Sequence, residues 1–324
     1  MSTNSFHYAG ISTFMRSPHV DITQLDKFDA VVVGVPFEAG VSYREGTKLA
    51  PRAIREAAFT ALPKNRKYID LDRGFQRYIP KDIEIADIGD IRVWPMEPVR
   101  TLREVHDVVR SVRSTSFPII LGGDHSITGS SFPACMEACE YNRSELALIV
   151  FDADLDTEDS FATLTDLWHG SVIRYLVDQG HVLGKNVYII GTRGIIDEDL
   201  FSFAKQRGIN IVTQRQVSER GIEQVLTDIE EHVDESVKGV YLSVDIDVLD
   251  PSIAPGTGWL SWGGMKAEEL LLAMRLMDRF NVVCMDVVEV SPPLDPSGLT
   301  TRLAFEVIWS FLRFGIRKTT SKRG

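Results

Sequence analysis

The stretch Gly239-Val240-Tyr241-Leu242-Ser243-Val244-Asp245-Ile246-Asp247-Val248-Leu249-Asp250 begins as an apolar strand-like run and ends as a cluster of acids. Its first half is the near-continuous β-type pattern of a strand covered on both faces. Similar runs recur at 30–35, 117–121, 146–151, 186–191, 209–212 and 282–290. Helical patterns with charged faces occupy 102–113, 222–233, 266–280 and 303–314. This alternation predicts an α/β fold with a mainly parallel central sheet and helices on both faces. No linker rich in Pro, Gly or Ser divides the chain and no repeat is visible, so residues 1–324 are expected to form a single domain. Those bounds include a short N-terminal extension and a basic tail from Arg317-Lys318 to Lys322-Arg323, which is expected to be too short and polar to pack.

Two other apolar runs also end in acids or histidine: Gly122-Gly123-Asp124-His125-Ser126 after 117–121, and Asp152-Ala153-Asp154-Leu155-Asp156 after 146–151. If the strand pattern persists, the alternating carboxylates project from one side and their neighbours from the other. Open parallel sheets bind ligands beyond the carboxyl ends of their strands, so the three segments can converge on one cleft. An unpaired ionised carboxylate there is costly, and several together require a cation. His125 with Asp152, Asp156, Asp245 and Asp247 offers mixed nitrogen and oxygen ligation, which suits manganese or a related divalent ion. Two ions roughly 3.5 to 4 Å apart would let carboxylates bridge them. Asp124 and Asp250 read better as caps of a helix or turn.

Bulk properties narrow the partners. A net charge of −11 argues against nucleic acid or an anionic membrane, since both need clustered Lys and Arg. It suits a cationic substrate, although an acidic balance also serves solubility alone. The three cysteines, Cys135, Cys139 and Cys284, form no disulfide framework and no CxxC metal site, which fits a reducing compartment. The first residues lack the basic start and apolar stretch of a signal peptide, and no segment carries the ~20 apolar residues of a membrane span. A cytoplasmic protein is expected.

Taken in order, these motifs resemble those of the ureohydrolases, the arginase and agmatinase superfamily, and most closely its agmatinase branch. The match extends to Tyr8-Ala9-Gly10-Ile11-Ser12-Thr13-Phe14-Met15-Arg16, Gly34-Val35-Pro36-Phe37, the loop from Gly46 through Pro51 to Arg55, Ile253-Ala254-Pro255-Gly256-Thr257-Gly258, and Asp286-Val287-Val288-Glu289-Val290-Ser291-Pro292-Pro293. The resemblance implies an arginase-like three-layer α/β/α fold, two divalent ions (manganese in many members, nickel in some), and a trimer or hexamer. It further implies hydrolysis of a small cationic guanidino compound to urea and an amine, with hydroxide held at the metals as nucleophile. On that resemblance, His125, Asp152, Asp156 and Asp245 hold one ion, and Asp152, Asp154, Asp245 and Asp247 the other. His169, in Trp168-His169-Gly170, would relay or donate a proton. Glu289 would accept hydrogen bonds from the guanidinium, to which a planar carboxylate is matched.

One residue departs from the pattern. Relatives usually read Asp-Ala-His-x-Asp where this chain has Asp154 in place of the histidine. Five aspartates then contribute about −5 against +4 from two divalent ions, and the extra charge should raise the pKa of water held between them. Two readings follow: a working enzyme with an altered second site, or a catalytically impaired subunit of a hetero-oligomeric ureohydrolase such as metformin hydrolase, whose role is assembly. A deacetylase-like mononuclear site is disfavoured by the doubled DxD pattern. After Gly258 relatives commonly continue Thr-Pro, whereas here Trp259-Leu260-Ser261-Trp262 follows. The tryptophans could stack on an agmatine-like, alkylated guanidine or biguanide substrate, or serve as core or subunit interface. The acidic Thr157-Glu158-Asp159-Ser160 could meet the amine of a substrate tail or be a solvated loop.

Overall fold

A computed structural model describes residues 10–61, 68–71, 76–78, 83–159 and 167–316. The basic tail, Tyr8-Ala9 of the first motif and Ser160 of the acidic loop lie outside the described residues. The strands are β1 (Ala30–Gly34), β2 (Tyr68–Asp70), β3 (Gln76–Tyr78), β4 (Ile85–Asp90), β5 (Phe117–Leu121), β6 (Leu146–Phe151), β7 (Val187–Thr192), β8 (Asn210–Thr213), β9 (Gly239–Asp245) and β10 (Val282–Val288). Eight form one sheet in the order β4-β1-β5-β10-β9-β6-β7-β8, with every pair parallel. The antiparallel pair β2 and β3 stands apart from it.

Along β1 and β6 neighbouring residues feed different cores, which is why these strands read as unbroken apolar runs. Ala147, Ile149 and Phe151 of β6 pack in one core with helices α1 (Ala50–Ala57), α5 (Ile222–His232), α6 (Ala267–Leu276) and α7 (Leu299–Ser310). Leu146, Leu148 and Val150 pack in the other, with α2 (Pro98–Arg113), α3 (Thr128–Ala138) and α4 (Val172–Asp178). Helix, sheet and helix therefore make three layers, and the α/β expectation holds. No helix among the described residues is long and apolar enough to cross a membrane.

Strand order and register place the three acidic segments. The four adjacent central strands β5, β10, β9 and β6 run parallel, so their carboxyl ends share one edge. Phe151 pairs with Val244, which sets Asp152 and Asp245 side by side one residue further on. Asp245 in turn pairs with Val288, so Glu289 leaves β10 beside them.

Strand β4 was not apparent in the sequence because Asp87, Gly89 and Asp90 interrupt it. Asp87 is fully buried, and that is tolerable because its carboxylate accepts from Arg55 Nε at 2.8 Å, Arg55 Nη2 at 3.0 Å, the Phe14 amide and the Gly89 amide. Helix α3 escaped notice for a different reason: it is buried along most of its length and contains Pro133, so it lacks a charged face.

Candidate active site

Each acidic segment leaves its strand through the same local device. The first aspartate accepts the amide proton two residues on: Ser126 N to Asp124 Oδ1 at 3.0 Å, Asp154 N to Asp152 Oδ1 at 2.7 Å, and Asp247 N to Asp245 Oδ1 at 2.9 Å. The chain therefore turns at the strand end, and the expected strand alternation does not continue. Asp247 sits in the 3-10 turn Ile246–Val248. Asp156 adopts a left-handed φ of 48° and Glu289 one of 61°, conformations that cost about 1–3 kcal/mol for such residues and persist where packing over-determines them. The carboxylates converge because the chain turns, not because a pleat alternates.

With one oxygen tied to its own turn, Asp152 and Asp245 each present the other to the cleft. Nδ1 of His125 lies 3.3 Å from Asp152 Oδ2, 2.8 Å from Asp156 Oδ2 and 3.5 Å from Asp245 Oδ2. It is nevertheless a buried nitrogen with no aligned hydrogen-bond partner. Its tautomer follows from the far side of the ring. Ser243 Oγ gives its proton to Asp286 Oδ1 at 2.6 Å, so it must accept from His125 Nε2 at 3.0 Å. Asp286 is held in turn by Thr128 Oγ1 and the Tyr241 hydroxyl, at 2.6 and 2.7 Å. In the neutral ring the lone pair of Nδ1 is thereby aimed at the point the carboxylates surround.

Two trios of ligand atoms lie close enough to surround an ion: His125, Asp152 and Asp245, and next to them Asp152, Asp154 and Asp247. Asp152 is common to both, as a bridging carboxylate would be. Asp156 joins the first through its contact with His125. Burial and the charge of Asp152 push Asp154 up to about 6 and Asp156 up to about 7. Asp245 and Asp247 also lie well above the ordinary carboxylate range, through burial and neighbouring aspartates. Burial opposes a charge on His125, yet Asp152 and Asp156 raise it well above the ordinary imidazole value. The surrounded point attracts positive charge, and the donor set fits a pair of hard or borderline divalent ions.

Beside this floor stand His169 and Glu289. His169 Nδ1 is 3.3 Å from Glu289 Oε1, which also accepts the His125 amide at 2.8 Å. On its other side Nε2 meets the Ser42 amide at 3.2 Å and the Ser42 hydroxyl at 2.8 Å. An amide can only donate, so in the neutral ring Nε2 is the acceptor and the proton sits on Nδ1, facing Glu289. Burial works against a charged His169, but Glu289, Asp156 and Asp124 outweigh it and raise it to about 9. Burial likewise opposes ionised Glu289, and the His169 and His125 contacts prevail, lowering its pKa.

The arginase family's sequence profile matches residues 28–313. The chain belongs to the arginase family. It is 32% identical to a guanidinobutyrase of Pseudomonas aeruginosa, over 94% of this chain and 92% of the relative. It is 30% identical to an agmatinase of Chromobacterium violaceum, over 94% and 88%. The solved structure of a proclavaminate amidinohydrolase from Streptomyces clavuligerus superposes with a TM-score of 0.82 at 32% identity, covering 95% of this chain and 99% of that one. Membership makes the chain a hydrolase of amidino C–N bonds, from a family that binds paired divalent metal ions.

The rest of this arginase-family site divides the remaining candidates. Both oxygens of Asp124 are occupied, by Ser126 and by the Gly40 amide at 2.8 Å, so it is a structural turn residue. Asp250 is likewise spent, on Ser252 and on the amides of Gly263 and Gly264, and the Ser252 hydroxyl and those amides hold it down to about 2. Trp259 lines the pocket, 50% exposed and 5.2 Å from the Tyr43 ring, whereas Trp262 is 72% exposed and lines nothing there. Neither tryptophan is core. Sequence reasoning missed Ser42, the walls Ile196 and Leu200, and above all Arg193. The Arg193 guanidinium donates to the carbonyls of Gly191, Asp247, Val248, Leu249 and Ser261, and its charge partly offsets that of Asp154. The signal available was a lone arginine just after a strand, too common to single out.

Proposed function

We propose that the chain is a metal-dependent amidinohydrolase that splits a small guanidino compound into urea and an amine. The observation that carries this reading is the buried, unpartnered His125 Nδ1 facing the free oxygens of three aspartates, with a second trio sharing Asp152. His125, Asp152, Asp156 and Asp245 would hold one ion, and Asp152, Asp154, Asp245 and Asp247 the other; manganese suits the oxygen-rich set best, with nickel the alternative. Such a pair supplies Lewis-acid polarisation and an activated water. Glu289, ionised at neutral pH, accepts guanidinium N–H bonds and fixes the carbon over the floor. His169 holds a proton that it passes to the departing amine nitrogen, and Glu289 keeps its ring oriented. Asp154 replaces the usual histidine without leaving the ligand group, which supports a working second site. The three free cysteines fit a cytosolic setting, and the family resemblance favours a homotrimer or hexamer.

The test is metal content per chain together with urea release from agmatine, guanidinobutyrate, arginine and guanidine, and guanylurea and dimethylamine release from metformin. Two ions and turnover by the chain alone are expected. One ion or none, with urea appearing only when a related subunit is added, would favour the assembly role that Asp154 also suggests.

A further inference from the structure

The pocket above the metal floor contains no lysine or arginine among its described lining residues. Nearby arginines are already engaged. Arg44 donates to the carbonyls of Gly258 and Thr257, both at 3.0 Å. Arg193 is committed to its five carbonyls, and Arg174 donates to the Thr157 carbonyl at 2.8 Å and lies 3.8 Å from Asp159. The walls are Trp168, Trp259, Ile196 and Leu200, and the charged group at the mouth is the exposed carboxylate of Glu158.

We infer that this pocket takes guanidines whose tails are uncharged or cationic and rejects those that end in a carboxylate. This rests on the proposed placement of the guanidinium head at Glu289. A carboxylate tail entering such walls would lose hydration, meet no lysine or arginine among the described lining residues, and approach Glu158. An alkyl tail is dry against the aromatic and aliphatic walls, and an ammonium gains Glu158 and the tryptophan faces. The inference is specific to this chain, because one of its relatives bears the name guanidinobutyrase.

Three compounds of matched length separate the possibilities: butylguanidine, agmatine and guanidinobutyrate. Binding to the manganese-loaded protein by calorimetry and urea release should be measured side by side. Guanidinobutyrate is expected to be at least about tenfold weaker in both than butylguanidine, and Glu158→Arg should narrow that gap. Guanidinobutyrate binding as tightly as the other two, or tighter, overturns the inference. The same binding order without urea from any of them sinks the hydrolase reading and supports the recognition rule. Urea from all three with equal kcat/KM does the reverse. Binding by none overturns both.

Discussion

At the floor of the pocket, Asp152, Asp245 and Asp247 each have one oxygen tied to a backbone amide, and His125 is locked from behind by Ser243 and Asp286. At its mouth, Trp259 is half exposed and held by a ring contact with Tyr43, and Glu158 is exposed. The floor is rigid because carboxylates packed this closely must be oriented to share cations, and any freedom would cost affinity. The mouth meets a variable tail, where modest complementarity suffices. Changes at the floor should therefore abolish metal binding and chemistry together, and changes at the mouth should alter only the choice of substrate.

The largest effect tests the floor. Asp152→Asn removes the carboxylate common to both ligand trios, and a loss of both ions with at least roughly a 10³-fold fall in urea release is expected. Metal analysis that still finds two ions would break the bridging assignment. Chelation gives a related result through pH. The raised carboxyls of Asp154 and Asp156, at about 6 and 7, and His169, at about 9, all bind protons more tightly in the metal-free fold than in the unfolded chain. The stability they confer is present at low pH and lost as pH rises through those values. The Tm of chelated protein should fall between about pH 5 and pH 8 while the loaded protein resists, so the gap widens; a constant gap would mean the cluster is not where the metals compete with protons.

Next is the support behind the ligand. Ser243→Ala leaves His125 in place but removes the acceptor that fixes its Nε2 proton, and an affinity loss of about 10- to 100-fold is expected by metal competition titration. A lower Tm with unchanged metal affinity would reduce Ser243 to packing. Asp154→His is milder, since it exchanges one ligand for another. One negative charge fewer lowers the pKa of water held at the centre, so the pH of half-maximal activity should move down by on the order of one unit. Coincident profiles would indicate that Arg193 already offsets Asp154 in the parent.

The same contrast explains what could be read from the sequence. Aspartates at the ends of β6 and β9, His125 after β5 and Glu289 after β10 stand out because apolar runs deliver them, and a parallel sheet gathers its carboxyl ends whatever the loops do. The turns that aim them were invisible, since Asp152 and Asp245 look like strand continuations until their amide bonds are known. Arg193 stayed hidden because its partners are backbone carbonyls, which every sequence has. The mouth was half legible: Trp259 and Glu158 drew notice by composition, but Ile196 comes from the loop after β7 and Leu200 from the helix that follows it, and only the folded chain brings them together.

The smallest effect probes how far mouth and floor are independent. Trp259→Ala removes an aromatic face that is half exposed, so the loss of cation–π and apolar contact should raise KM by only roughly 2- to 5-fold, with kcat and metal content unchanged. The two regions do share one physical link. Arg193 donates to the Asp247 carbonyl at 2.6 Å in the metal turn and to the Ser261 carbonyl at 2.7 Å in the tryptophan loop. Because the clamp grips backbone at Ser261, deleting the Trp259 side chain leaves it intact, and the floor should not respond. A fall in kcat with an unchanged KM would instead show that Trp259 packing holds the loop for Arg193, making mouth and floor one unit.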